Sequence, residues 1–180
     1  MEAYTLKKVP VPEKSIAGRS LPEIHFYDAY RVLLPDKGGA DVKHIAIGFL
    51  TASPSWVDAL MNVRNKIVSL IGLKTSSRNK GNLIIEEGGQ IGIFRVLKCS
   101  PNEIVLGEDD RHLDFRVSIY VEKMNESNYL TVSTLVYYNN WVGKSYFSIV
   151  KRFHKLIVPA MMKRMTFLNL INTIGNNPEG

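Results

Sequence analysis

Leu113-Asp114-Phe115-Arg116-Val117-Ser118-Ile119-Tyr120-Val121-Glu122 alternates apolar and polar side chains more cleanly than any other stretch of the chain. Leu113, Phe115, Val117, Ile119 and Val121 fall on one side, and His112, Asp114, Arg116, Ser118 and Glu122 on the other. A period of two residues with one apolar face predicts a strand whose sheet is covered on that face. Working outward, residues 125–128 turn the chain, and Leu130, Val132, Thr134, Val136 and Tyr138 form the matching side of a partner strand. Upstream, residues 91–99 and 103–107 flank Ser100-Pro101-Asn102 and read as a hairpin, with a glycine cluster at 88–92 suited to a turn and a strand bulge. The order is that of an antiparallel meander. An earlier strand is expected over residues 24–34, where aromatic and β-branched residues dominate.

Helical periods surround these strands. Asp41 is placed to cap a short helix running to about Leu50. Ser53-Pro54 opens a second, in which Trp56, Val57, Leu60, Met61, Arg64 and Ile67 recur at three- and four-residue steps until Gly72. Residues 74–81 read as a polar loop. The last element is a long helix from about 142 to 171, spanning about 45–50 Å, with Pro159 inside it as an expected kink. Its hydrophobic pattern centres on Val142, Tyr146, Ile149, Phe153, Leu156, Ile157 and Ala160, with Arg164 close to that face and Met162 and Met165 near the polar side. The predicted organisation is an extended, proline-bearing arm over residues 1–22, one α+β domain over 23–172, and a tail over 173–180.

Composition limits what such a domain does. With 180 residues, 45% of them hydrophobic and 22% charged, the chain has the make-up of an ordinary packed domain that needs neither metal nor disulfide. The single Cys99 and the lack of an apolar leader point to the cytoplasm. No apolar run approaches the roughly 18 residues of a membrane span. The net charge of +6 is concentrated: Lys144, Lys151, Arg152, Lys155, Lys163 and Arg164 share the last helix with no acid, and the remaining bases equal the 17 acids in number. That face is either a solvated surface or a site of peripheral contact with an anionic membrane or an acidic protein. No motif for reading nucleic acid accompanies the charge, so nucleic-acid binding is not expected. Nucleophile elbow, phosphate loop, dinucleotide turn and zinc-protease signatures are also missing, which argues against a conventional hydrolase, kinase or dehydrogenase.

At the residue level the chain resembles the bacterial domain-of-unknown-function family 2867, placed with START-like and polyketide-cyclase-like (SRPBCC) proteins. The likeness rests on Asp28-Ala29-Tyr30, on Pro54, Trp56, Val57, Leu60, Met61, Arg64 and Asn65, on the run Leu106-Gly107-Glu108-Asp109-Asp110-Arg111-His112-Leu113-Asp114-Phe115-Arg116, and on Phe153-His154 with Ile157. It covers residues 23–164. The resemblance implies a helix-grip (START-like) fold: a curved antiparallel sheet wrapped around a long C-terminal helix, with two helices after the first strand. It further implies a pocket protein, holding a small hydrophobic or amphipathic ligand without cofactor or metal, and transfers no catalytic residue.

On that expectation Trp56, Leu60, Phe153, Ile157 and Met161 would line the ligand site, with Asp28, Tyr30 and Arg164 as polar anchors. The alternative is that the apolar stripes are only core. An enzyme of cyclase or dehydratase type is the less favoured reading, with His112 and Asp114, or Asp28 with Tyr30, exchanging protons with the substrate. The charged run 108–116 has its own plain reading as an internally paired rim that fixes a turn. His154 is expected at the boundary of the last helix, as a surface or bridging residue.

Overall fold

In the computed structural model, residues 5–34, 41–54, 56, 85–91 and 94–175 are described, with side chains described as far as residue 166. Seven strands form one curved, open, wholly antiparallel sheet in the order β1-β2-β7-β6-β5-β4-β3. They are β1 (Lys7–Lys8), β2 (Phe26–Leu33), β3 (Gln90–Ile91), β4 (Phe94–Cys99), β5 (Glu103–Asp109), β6 (Leu113–Met124) and β7 (Ser127–Tyr138). Helix α1 (Val42–Thr51) follows β2, and α2 (Trp141–Gly175) closes the chain. This is the α+β, sheet-and-terminal-helix arrangement expected from the sequence. The second early helix, predicted over 53–72, and the loop at 74–81 lie largely outside the described residues.

The alternation in β6 sets the two faces of the sheet. Val117, Ile119 and Val121 join Val32, Leu130 and Val132 against Ala46 and Phe49 of α1 and Val158, Met161, Met162 and Met165 of α2. Each fully buried Ile or Leu here stabilises the fold by roughly 1.5–3 kcal/mol relative to leaving it exposed. A second cluster on the same face joins Leu113, Val136 and Phe147, with Phe26, Phe115 and Val150 packed around them. The hairpin joining β6 and β7 is tight, Met124 pairing with Ser127 across Asn125 and Glu126, both at positive φ. Residues 91–99 do not form one strand: Ile91 pairs with Phe94, making a further hairpin, and the ladder irregularity falls between Val96 and Lys98.

The opposite face is covered by the N-terminal arm. Ala17 and Leu21, with Val11 and Ile16, pack on Val105, Leu135 and Tyr137. The arm is fastened at Glu103, which is 1% exposed. Its carboxylate accepts from the Ser15 and Ser118 hydroxyls at 2.6 Å and from the amides of Ile16 (2.6 Å) and Ala17 (3.4 Å). Bonds to an ionised acceptor are about twice as strong as neutral ones, which reconciles the carboxylate with its burial. Arg116 adds a second tie, donating to the Ser20 carbonyl at 3.4 Å while pairing with Asp109 at 2.6 Å.

Helix α2 starts where it touches β6. Asn140 accepts from the Gly143 amide at 3.1 Å and so caps the helix. A Cβ at Gly143 would collide with the His112 carbonyl, so only glycine lets the helix approach here. The face that α2 buries is therefore not the one its hydropathy suggests. Gly143, Phe147, Val158, Met161, Met162 and Met165 are buried, whereas Ile149 (49%), Phe153 (41%) and Leu156 (62%) are exposed. Met162 and Met165, expected near the polar side, are core residues, and Arg164, expected close to the apolar face, is exposed. The helix is turned by roughly a third of a revolution from the predicted orientation, at 100° per residue.

Candidate functional site

Between the two apolar clusters β2, β7 and α2 each place a polar residue at the same level, while β6 stays apolar there with Val117 opposite Thr134. On β2, Phe26 belongs to one cluster and Tyr30 and Val32 to the other, with Asp28 between them. On β7, Val136 and Val132 flank Thr134, which pairs directly with Asp28. On α2, Phe147 and Val150 precede His154, and Ile157, Val158 and Met161 follow it. Same-face neighbours on paired strands, and residues three or four apart on a helix, are brought side by side. The result is a polar seam of Asp28, Thr134 and His154 crossing an otherwise greasy interface.

His154 stands between the two strand residues. His154 Nδ1 lies 3.5 Å from Asp28 Oδ2, and His154 Nε2 lies 3.3 Å from Thr134 Oγ1. Asp28 is 1% exposed and Thr134 3%. Both carboxylate oxygens of Asp28 and the Nδ1 of His154 are buried without a hydrogen-bond partner among the described residues. Burial raises the Tyr30 phenol above its ordinary range, and the neighbouring negative charge of Asp28 raises it further. A buried carboxylate with neither oxygen hydrogen-bonded is unfavourable, and the His154 ring at 3.5 Å is the ion-pair partner it is given. The seam presents hydrogen-bond acceptors at Asp28 with an imidazole beside them.

The predicted site residues are distributed unevenly around it. Asp28 belongs to the seam and half-buried Tyr30 is the next residue along the same face of β2. Ile157 and Met161 lie on the core side of α2, one turn or two beyond His154. Phe153 is 41% exposed, Trp56 is 40% exposed, and Arg164 is exposed; Leu60 lies outside the described residues. Half-buried Phe94 and Phe115, 6.0 Å apart edge to face, pack against the main cluster; neither is among the expected site residues, although Phe115 lies on the apolar face of the alternating strand. His154 is the bridging residue its position suggested, but its partners were not foreseen. A usable signal existed, because Phe147, Val150, His154, Val158 and Met161 recur at three- and four-residue steps on one face.

His112 and Asp114 are not brought to this seam. Asp114 alternates with Leu113 and Phe115 and pairs with Tyr137, on the face covered by the arm. It accepts from the Asp110 amide at 3.1 Å and from Asn139 Nδ2 at 2.9 Å. His112 donates its amide to Asp110 Oδ1 at 3.1 Å, and its ring meets Asn140 Oδ1 at 3.2 Å. Asp114 contacts neither His112 nor Arg116, which takes Asp109 instead. The run that carries the resemblance thus closes the β5–β6 turn and joins it to the start of α2. Among the described residues, no group of three His, Cys, Asp or Glu side chains is placed to hold a metal ion. No described helix is long and apolar enough to cross a membrane.

Comparison with curated proteins and with solved structures finds no match at the significance threshold. A family model does match, over residues 20–161, and its description is "Protein of unknown function (DUF2867)". That range takes in β2, α1, the whole β3–β7 meander and α2 as far as Met161, so both strands and the helix that form the seam lie within it. On this evidence the chain belongs to the DUF2867 family.

Proposed function

We propose that this protein binds a small hydrophobic or amphipathic molecule between its sheet and α2, with a hydrogen-bond-donating end of the ligand against Asp28. The observation that carries the reading is the buried carboxylate whose two oxygens accept no hydrogen bond among the described residues, with His154 Nδ1 at 3.5 Å as its nearest charge-bearing neighbour. Buried polar atoms are rarely left unpaired, and those that are ask for an explanation. A hydroxyl or amine of a bound molecule would supply the missing donor. An apolar body would suit the surroundings of the seam, where Tyr30, Phe115 and Ile157 are half-buried beside the main cluster. Sites of this kind combine an apolar lining with a few placed polar groups. The free, half-buried Cys99 is compatible with a reducing, cytoplasmic setting for such a binder.

Native mass spectrometry of the protein purified from a bacterial host tests the reading. The expected result is a small-molecule adduct that is lost on denaturation, absent from Asp28→Asn, and displaceable together with a fluorescent fatty acid. A bare protein mass, with no displacement of the fluorescent probe at micromolar protein, would overturn it.

A second reading is favoured by one observation. His154 stands between a carboxylate and a hydroxyl, which is the placement of a general acid/base oriented by a third group. In that case Asp28, His154 and Tyr30 would move protons on the bound molecule, as in a cyclase or dehydratase. Recovery of a ligand chemically unchanged after prolonged incubation would favour simple binding.

A further inference from the structure

The most apolar stripe of α2 faces outward. Ile149, Phe153 and Leu156, at steps of four and three residues, share one side of the helix and are 49%, 41% and 62% exposed. Trp141, 77% exposed, stands at the start of the same helix. The rotation that hides Phe147, Val158 and Met165 leaves this stripe uncovered, and the close approach of Gly143 to the His112 carbonyl, just before β6, goes with that orientation.

Charge borders the stripe. At 100° per residue, Arg152 and Lys163 lie along one edge and Arg164 along the other, with Lys155 and Lys144 further round. Arg152, Lys155, Lys163, Arg164 and Lys144 are all exposed, and no acid occurs on the helix. Contiguous exposed apolar side chains rimmed by polar groups mark an interaction site. A two-fold contact between copies through this face would set cations against cations, which disfavours a second copy as the occupant. An anionic bilayer complements both features: the acyl boundary takes the apolar stripe, the headgroups take the lysines and arginines, and an exposed Trp suits the interface.

We propose that the outward face of α2, through Ile149, Phe153, Leu156 and the flanking Arg152, Lys163 and Arg164, docks the protein peripherally on an anionic lipid surface. This does not depend on the ligand reading, because His154 and Met161 project from the other side of the helix. A peripheral helix lies in the headgroup plane with its apolar side partly immersed.

The test is flotation of the full chain with vesicles of pure phosphatidylcholine and of phosphatidylcholine containing phosphatidylglycerol. The expected result is binding to the anionic vesicles only, weakening as salt is raised. Replacing Arg152, Lys163 and Arg164 by Gln lowers partitioning roughly a hundredfold. Replacing Ile149, Phe153 and Leu156 by Ser lowers it at least about tenfold. Thermal unfolding of both variants is expected to match the parent, because all six side chains are exposed. Equal binding to both vesicle types, no binding to either, or a dimer of the parent chain dissolved by the Ser substitutions would each overturn the proposal.

Discussion

Replacing Asp28 by Asn is expected to stabilise the ligand-free protein while abolishing ligand retention. Asp28 is 1% exposed and its two oxygens accept no hydrogen bond among the described residues, so folding removes a carboxylate from water with only the 3.5 Å contact to His154 in return. Leaving a buried polar group unpaired costs about 1–3 kcal/mol, and more when it is charged. Asn keeps the shape, removes the charge and brings an amide that can donate to His154. The gain is expected at about 1–3 kcal/mol, equivalent to a rise in Tm of about 2–10 °C for a chain of this length. Urea denaturation measures it directly, with the midpoint moving up and the slope unchanged. Binding sites that give up stability for function behave in this way. The counter-case is definite: if Asn destabilises by 3 kcal/mol or more, Asp28 and His154 form a structural ion pair in the folded state. The carboxylate would then be serving the fold, and the argument for a ligand donor would fail. His154→Gln separates the two cases, since it costs several kcal/mol only where the ion pair exists.

Other outcomes follow from the same contacts. Glu103→Ala strands the hydroxyls of Ser15 and Ser118 and two arm amides; it is expected to cost about 2–4 kcal/mol and to open residues 11–21 to limited proteolysis at unchanged sheet content. Gly143→Ala drives a methyl group into the His112 carbonyl and is expected to destabilise by more than about 2 kcal/mol in urea denaturation, whereas Gly88→Ala, with open space but φ of +84°, costs about 1 kcal/mol. Tyr30, Tyr120 and Tyr138 all have phenols raised, in each case first by burial. A raised phenol keeps its proton in the folded state where the unfolded chain has lost it. Stability is therefore complete below the ordinary tyrosine value of about 10 and declines as pH rises through the higher folded values. Tyr30→Phe should make that alkaline decline shallower in denaturation curves taken from pH 8 to 11.

The local elements were largely written in the sequence. The alternation of β6 and of Leu130 to Tyr138 fixed which residues face the helices, because a strand has only two sides. Asp41 caps α1 as expected, accepting from the Lys43 amide at 3.0 Å. Asp28 and Tyr30 were nominated as polar anchors on an apolar background, which is visible from one strand alone. Periodicity could not choose the side of α2 that is buried. It found the most hydrophobic stripe, Ile149, Phe153 and Leu156, and the fold buried another. The deciding group was a glycine, whose lack of a side chain gives it no weight in hydropathy but lets the helix meet the His112 carbonyl. Once Gly143 is seated, the rotation of every later residue follows. His154 then arrives opposite Asp28 and Thr134, a meeting of distant segments that no local pattern encodes. The sequence by itself determined strands β2, β5, β6 and β7, the faces of the last two, and the charge of the last helix, but neither β1 nor the break between β3 and β4. Tertiary structure alone decided how that helix is turned, because its rotation is set by the close approach of Gly143 to the backbone of His112, just before β6, and not by its own composition.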